Sequence, residues 1–213
     1  VRVAAVDDHP VARYGLAAIL GAAPDVDVVA VVADPAELPR GASGAVAADV
    51  VIADLYLAGP APALDVIAEL AAGVSVLVVS ASQEPADVVA AMQAGASGYL
   101  TKRATESQYL SALRTVHSGG FHLSAQLADL IQAATQGLGP PKARAERVEL
   151  SAREREVLAY IARGFTHQQT AARMGVSAAT VNTYVVRVRA KLHLGNKAEL
   201  ALAALRYLSV GAS

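Results

Sequence analysis

Short apolar runs alternate with amphipathic stretches through the first half of the chain. VRVAAV, DVVAVV, DVVIAD, VSVLVVS and SGYLT have strand length and are rich in Val. Between them lie ARYGLAAILGA, an Ala-rich segment at 36–48, ALDVIAELAA and ADVVAAMQAGA; ESQYLSALRTVHSG comes after the last run. The pattern predicts five strands and five helices in strict alternation. Short apolar strands joined by helical crossovers imply a parallel sheet covered on both faces. The expected fold is therefore α/β, a doubly wound five-stranded parallel sheet of about 120 residues.

The pattern then changes. SAQLADLIQAATQ continues the helical signal, and GLGPPKARAERVE has the Gly, Pro and mixed charge of a linker. From Leu150 onward only helical periodicity remains, in SAREREVLAYIARG, THQQTAARMG, SAATVNTYVVRVRAKL and KAELALAALRYL. Tight gaps between short segments predict a compact four-helix domain. The expected boundaries are 1–118 for the α/β domain, 119–148 for a linker with a helical start, and 149–213 for a small all-α domain.

Charge sharpens this division. The net charge of −1 hides six Lys/Arg against 14 Asp/Glu in residues 1–139, or −8, and twelve Lys/Arg against five Glu in residues 140–213, or +7. A basic helical domain is a candidate for nucleic acid. With no Cys, disulfides, Cys-based zinc sites and Cys nucleophiles are excluded. VRVAAVDDHP turns acidic too soon for a signal peptide, and no apolar run reaches the 18 or so residues of a membrane span. A cytoplasmic protein without a membrane partner is expected.

In open parallel sheets, ligands sit outside the carboxyl ends of the strands. Asp7 and Asp8 end the first run and Asp54 ends the third, and those two strands should be neighbours. Carboxylates meeting at one edge repel unless a cation joins them, and all-oxygen ligation favours Mg²⁺. Ser80 ends the fourth run and Lys102 the fifth. Acids, a metal, a hydroxyl and an ammonium together describe a phosphoryl-transfer site. Each residue alone is an ordinary cap or loop residue; the specific signal is the set.

Over its full length the first half resembles the CheY-like receiver domain, which has the flavodoxin-like fold. The motifs are VDDHP, VVIADL, VVSAS and AGASGYLTK, the last with Gly95, Gly98, Tyr99 and Lys102 in the manner of the NarL/FixJ branch. The resemblance implies Asp54 as phosphoacceptor and Asp8 and Asp54 as direct Mg²⁺ ligands. It implies that Asp7 acts through water and that the Tyr56 backbone carbonyl completes the ligand set. Ser80 and Lys102 would hold the phosphoryl group, and Tyr99 would change rotamer on activation. Two features depart from the family: Ala58 stands in LAGPAPALD where Pro is usual, and bulky Tyr56 lies two residues past the acceptor.

In the second half, THQQTAARMGVSAATVNTYVVRVRAKL reads as helix, Gly-containing turn and helix. Gly175 suits the turn and Ser177 an N-cap, while Val181, Val185, Val188 and Leu192 form a buried stripe. The rest of that helix offers Thr180, Asn182, Thr183, Val186, Arg187, Arg189 and Lys191 to DNA. The three cations suit phosphates, and Asn182 and Thr183 suit base edges. The stretch from LSAREREVL, with Glu154, through VRVRAKL resembles the LuxR-type DNA-binding domain. In that family the base-contacting positions fall on Asn182, Thr183 and Val186. Basic residues are common at the first and third, and HQQTA replaces the usual KEIA, so no operator sequence transfers.

Together the two resemblances imply a NarL/FixJ-type response regulator: a transcription regulator switched by aspartate phosphorylation. Its partners would be DNA, a cognate sensor histidine kinase and a second copy in an active homodimer. Because the receiver consumes itself as substrate, it would not be an enzyme. The alternative is a receiver controlled by a small ligand, or constitutively dimeric, without phosphorylation. A phosphatase resembling haloacid dehalogenases needs an acid two residues after the nucleophile, where Tyr56 stands.

Overall fold

A computed structural model describes residues 1–42, 44–124, 126–130, 150–163, 165–192, 194, 199–200 and 203–204. Six parallel strands form one sheet in the order β2-β1-β3-β4-β5-β6: β1 (Arg2–Val6), β2 (Asp27–Val32), β3 (Val50–Asp54), β4 (Ser75–Ser80), β5 (Gly98–Thr101) and β6 (His122–Leu123). The helices of this unit are α1 (Pro10–Gly21), α2 (Leu64–Ala71), α3 (Pro85–Gln93) and α4 (Glu106–His117).

Strand periodicity divides the core. Val50 and Ile52 pack with Leu16, Leu20, Leu113 and Val116 of α1 and α4. Val51 and Ala53 pack with Ile67, Leu70, Val88 and Met92 of α2 and α3. Each central strand is thus buried on both faces, which explains its nearly continuous apolar sequence.

Two expectations are corrected. The sheet has six strands rather than five: Gly119 turns with φ 79°, and two residues of β6 pair with Gly98 and Tyr99. A two-residue strand is too short to register as an apolar run, and it lies beyond the expected boundary at 118. Gly98 suits this close pairing: an added Cβ would press on the His122 carbonyl oxygen at 3.1 Å. The Ala-rich segment at 36–48 forms no α-helix among its described residues. It holds one 3₁₀ turn (Pro35–Glu37) and an isolated bridge from Arg40 to Val46. Pro39 lacks the N–H a helix needs and disfavours helical backbone at Leu38, and Gly41 and Gly44 add flexibility.

The second unit contains α5 (Ala152–Ala162), α6 (His167–Met174) and α7 (Ala178–Leu192). Capping boxes start α5 (Ser151 with Glu154) and α6 (Thr166 with Gln169). Gly175 closes α6 at φ 66°, as the turn requires. Ser177 Oγ accepts the Thr180 N–H at 3.0 Å to open α7. Val181, Val185 and Val188 are buried and Leu192 is partly so, as the stripe predicts. The expected linker is largely, and the fourth helix mostly, outside the described residues. One apolar cluster runs from the α2/α3 face of the sheet through Phe121 and Leu127 to Leu158, Val185 and Val188.

Candidate functional site: an acidic strand edge and an exposed helix

The strand order reverses between β1 and β3, and the acids gather at that switch point. Asp7 comes directly after β1 and is 1% exposed; Asp54 ends β3 and is 4% exposed. Lys102, just after β5, bridges them: its Nζ lies 2.7 Å from Asp54 Oδ2 and 2.8 Å from Asp7 Oδ2. Its backbone N–H donates to the Ser80 carbonyl at 2.7 Å, which ties β5's end to β4's. Burial acts to lower the Lys102 pKa, but hydrogen bonds and charge from Asp54 and Asp7 override it and raise the pKa. The ammonium is therefore firmly charged.

Asp8 sits at the rim. Burial acts to raise its pKa, but the Ala58 N–H and His9 outweigh that and lower it. The Arg13 guanidinium donates to the Asp7 and Asp8 carbonyls at 2.8 and 2.9 Å, fixing the turn that carries both acids. Donor atoms of Asp7, Asp8, His9 and Asp54 all lie within 4.8 Å of one another. Asp8 Oδ1 is buried and faces His9 Nδ1 at 2.7 Å. Three carboxylates gathered at one edge, in an oxygen-rich donor set, are the environment a divalent cation satisfies, so the residues fit a metal.

Ser80 is fully buried, and its Oγ accepts the Ser82 N–H at 3.1 Å. Tyr99 is fully buried too, its hydroxyl donating to the Ser82 carbonyl at 3.1 Å. Tyr56 turns its phenol to Asp87 at the start of α3, 2.7 Å away, where Ser82 Oγ also donates. The hydrogen bond to Asp87 pushes the Tyr56 pKa up to about 12, with burial adding to it. Ala58 has φ 56°, the one positive-φ non-glycine among the described residues. Its N–H donates to Asp8 Oδ2 at 3.1 Å, a bond that Pro at this position could not make. A cavity of about 600 Å³ opens at Asp7, Asp54 and Lys102 and extends along Leu16, Ile19 and Tyr109.

On α7, Asn182, Thr183, Val186 and Arg187 are exposed, Val186 at 56%. Thr180 is half-buried, with its hydroxyl 2.8 Å from that of Ser177, and Arg189 is half-buried. Lys191 also has a partner inside the domain. Its Nζ lies 2.7 Å from Oε2 of Glu154, a buried residue, so it braces α7 on α5. Lys191 is the leading cause that lowers the Glu154 pKa, against burial. Sequence reasoning missed His9, Ser82 and Asp87 as neighbours of the site, and noted Ala58 only as a departure and not for its N–H to Asp8. His9 stands inside the VDDHP motif, whereas the roles of the other three are visible only once the loops are folded.

Residues 3–114 match the response regulator receiver domain family, and residues 148–204 match the luxR family of bacterial regulatory proteins. The chain belongs to the NarL/FixJ-type response regulators. Among its relatives are the transcriptional regulatory protein UhpA of Salmonella typhimurium, 32% identical over 94% of this chain and 96% of that one, and the nitrate/nitrite response regulator NarL of Escherichia coli, 31% identical over 92% and 91%. The crystal structure of response regulator ChrA, from a heme-sensing two-component system, is 34% identical with a TM-score of 0.50, each chain covering 98% of the other. RcsB of Salmonella typhimurium shares the fold at 23% identity, a TM-score of 0.55 and 98% coverage of both chains. The protein is a two-component response regulator that joins a receiver to a LuxR-type DNA-binding domain. Among the described residues no helix is long and apolar enough to cross a membrane.

Proposed function

We propose that Asp54 accepts a phosphoryl group from a sensor histidine kinase and that this switches DNA binding by α7. The observation that carries the reading is the Lys102 ammonium clamped between buried Asp7 and Asp54. An Asp54 carboxylate oxygen forms the new O–P bond as the donor's N–P bond breaks and the donor imidazole leaves. Lys102 moves its charge from Asp54 to the phosphoryl oxygens, and the Ser80 hydroxyl donates to one of them. Asp8, Asp54 and the Tyr56 carbonyl, with Asp7 through water, would hold Mg²⁺, which would supply charge neutralisation when bound.

Phosphorylation adds about 1.5 to 2 negative charges at this edge. Drawing Ser80 inward moves the segment that ends in Ser82, whose carbonyl holds the Tyr99 hydroxyl. Tyr99 thereby couples acceptor chemistry to β5 and its neighbours. The acidic receiver and basic helical domain share an apolar cluster, and Thr166 at the start of α6 lies against Gly120, whose added Cβ would meet it at 3.1 Å. We assign the unphosphorylated state to partial masking of α7, in a domain arrangement other than this one, where Asn182, Thr183, Val186 and Arg187 are exposed. The active state is a two-fold homodimer presenting paired helices to DNA half-sites. Asn182, Thr183 and Val186 face bases, Thr180 supports the helix start, and Arg187 and Arg189 meet phosphates. Lys191 is reassigned to bracing. The protein acts in the cytoplasm, and as its own substrate it is no turnover enzyme.

Incubation with acetyl phosphate and Mg²⁺ tests this: the intact mass should rise by one phosphoryl group, and Asp54→Asn should stay unmodified. A wild-type protein that gains no mass from acetyl phosphate or a kinase favours control by a ligand instead.

A further inference from the structure

Helix α3 begins with an acid that does not cap it. Its N-cap residue is Glu84, whose side chain makes no capping bond. Asp87 stands three residues on, where the acid of a capping box would take the Glu84 N–H. Ser82 Oγ takes that N–H instead, at 3.1 Å. The Asp87 carboxylate is thereby left to two other donors, and one oxygen, Oδ2, accepts both: the Tyr56 phenol at 2.7 Å and the Ser82 hydroxyl at 2.5 Å. Ser82 and Asp87 belong to one local turn, but Tyr56 lies 31 positions away, in the loop that follows Asp54. The phenol therefore ties two loops together beside the acceptor.

Tyr56 is held at both ends. Its backbone N–H donates to Asp54 Oδ1 at 3.3 Å, and its hydroxyl donates to Asp87. Tyr56 lines the cavity that opens at Asp7, Asp54 and Lys102, whereas Ser82 and Asp87 do not. Its hydroxyl is thus engaged outside the cavity, and the ring forms the wall at this point. Hydrolysis of a phosphorylated Asp54 needs that space. A water oxygen bonds to phosphorus from the side opposite Asp54 as the P–O bond to the carboxylate breaks. Inorganic phosphate leaves, and the water's proton passes to solvent. A ring fixed in the wall leaves the water less room and offers it no hydroxyl partner.

We propose that Asp87 is a positioning residue of the receiver: it pins the Tyr56 ring in the wall of the acceptor site and so prolongs the life of phosphoryl-Asp54. The inference rests on the reading of Asp54 as the acceptor. Ser82 is the second holding point. Its hydroxyl fixes Asp87 and its carbonyl receives the Tyr99 hydroxyl, so the tie and Tyr99 meet at one residue.

The test uses the full chain, phosphorylated with acetyl phosphate and Mg²⁺ and then freed of donor. Intact mass follows the loss of the phosphoryl group. Asp87→Ala removes the acceptor, and Tyr56→Phe keeps the ring but removes the tie. Each should shorten the lifetime roughly tenfold, the scale of one hydrogen bond to a charged group. The double variant should decay no faster than either single one, because both changes cut the same bond. Asp87→Asn keeps an acceptor for the phenol and should recover most of the lost lifetime. Asp25→Ala, which breaks the distant pair with Arg114, controls for lost stability and should decay like the wild type. Unchanged decay in Asp87→Ala or Tyr56→Phe, additive effects in the double variant, or equally fast decay in Asp25→Ala overturns the Asp87 assignment and leaves Asp54 as acceptor. A wild type that gains no phosphoryl mass overturns both.

Discussion

Replacing Lys191 with Met keeps the aliphatic stem and removes the ammonium, which separates bracing from DNA contact. Glu154 Oε2 would retain the Ser151 N–H at 2.7 Å but lose the ammonium at 2.7 Å. Breaking a fully buried ion pair costs about 3–5 kcal/mol. The Lys191 side chain is 39% exposed, so water partly replaces the ammonium and the expected loss is roughly 1–3 kcal/mol. In a domain of this size each kcal/mol lowers the melting point by roughly 4–8 °C. Calorimetry on the full chain should show that fall in the helical domain's transition. The pH dependence has a definite sign. Because the Glu154 pKa is depressed in the folded state, its contribution is present above the ordinary value of 4.5 and is lost as pH falls through the lower folded value. Lys191→Met should flatten that acid-side loss. DNA supplies the other arm. Each phosphate contact adds about 0.9 to the slope of log affinity against log salt. Arg187→Met should reduce the slope on a random-sequence duplex by about that amount, and Lys191→Met should leave it unchanged. A lowered slope with an unaltered melting point in Lys191→Met would refute the bracing role.

Asp87→Asn should bring the Tyr56 phenol down from about 12 toward 10, seen by ¹³C-tyrosine NMR, because Asp87 is the main cause of the shift. The associated stability is present below about 10 and is lost as pH rises toward about 12. Ala58→Gly should stabilise the receiver by up to about 1 kcal/mol by relieving the positive φ. Ala58→Pro should destabilise it, since Pro permits neither φ 56° nor the N–H to Asp8; thermal melts decide both. The unphosphorylated full chain should bind DNA more weakly than a 149–213 fragment at equal salt, and acetyl phosphate should close the gap. Equal affinities in fluorescence anisotropy would remove masking.

Strand alternation and the terminal residues Asp7, Asp54, Ser80 and Lys102 were legible because a parallel sheet places strand ends at one edge whatever the loops do. The Val181, Val185 and Val188 stripe was legible because helical period and burial coincide. Composition misled at 36–48, where Ala content suggested a helix and Pro39 with two glycines prevented one. Strand β6 escaped because pairing, not local pattern, makes it a strand. The Lys191 pair with Glu154, 37 positions away, was not legible, because a cation near a helix end reveals no partner until the other helix is folded beside it. The Tyr56, Ser82 and Asp87 network depends on two loops meeting, which no local pattern encodes.

The missing helix between β2 and β3 has a dynamic consequence. β2 is an edge strand on which Val28 to Val32 are all half-exposed, and the loop over it is anchored chiefly by buried Leu38. A strand with one paired side and thin cover opens before the rest of its sheet. Amide exchange should therefore begin at β2 while β3 and β4, buried on both faces, stay protected. The region also tolerates inserted residues, because loop-closure entropy grows slowly with length. Breathing at β2 lies on the flank away from β4 and β5, so the strand ends that carry Asp54, Ser80 and Lys102 keep their register while that flank loosens.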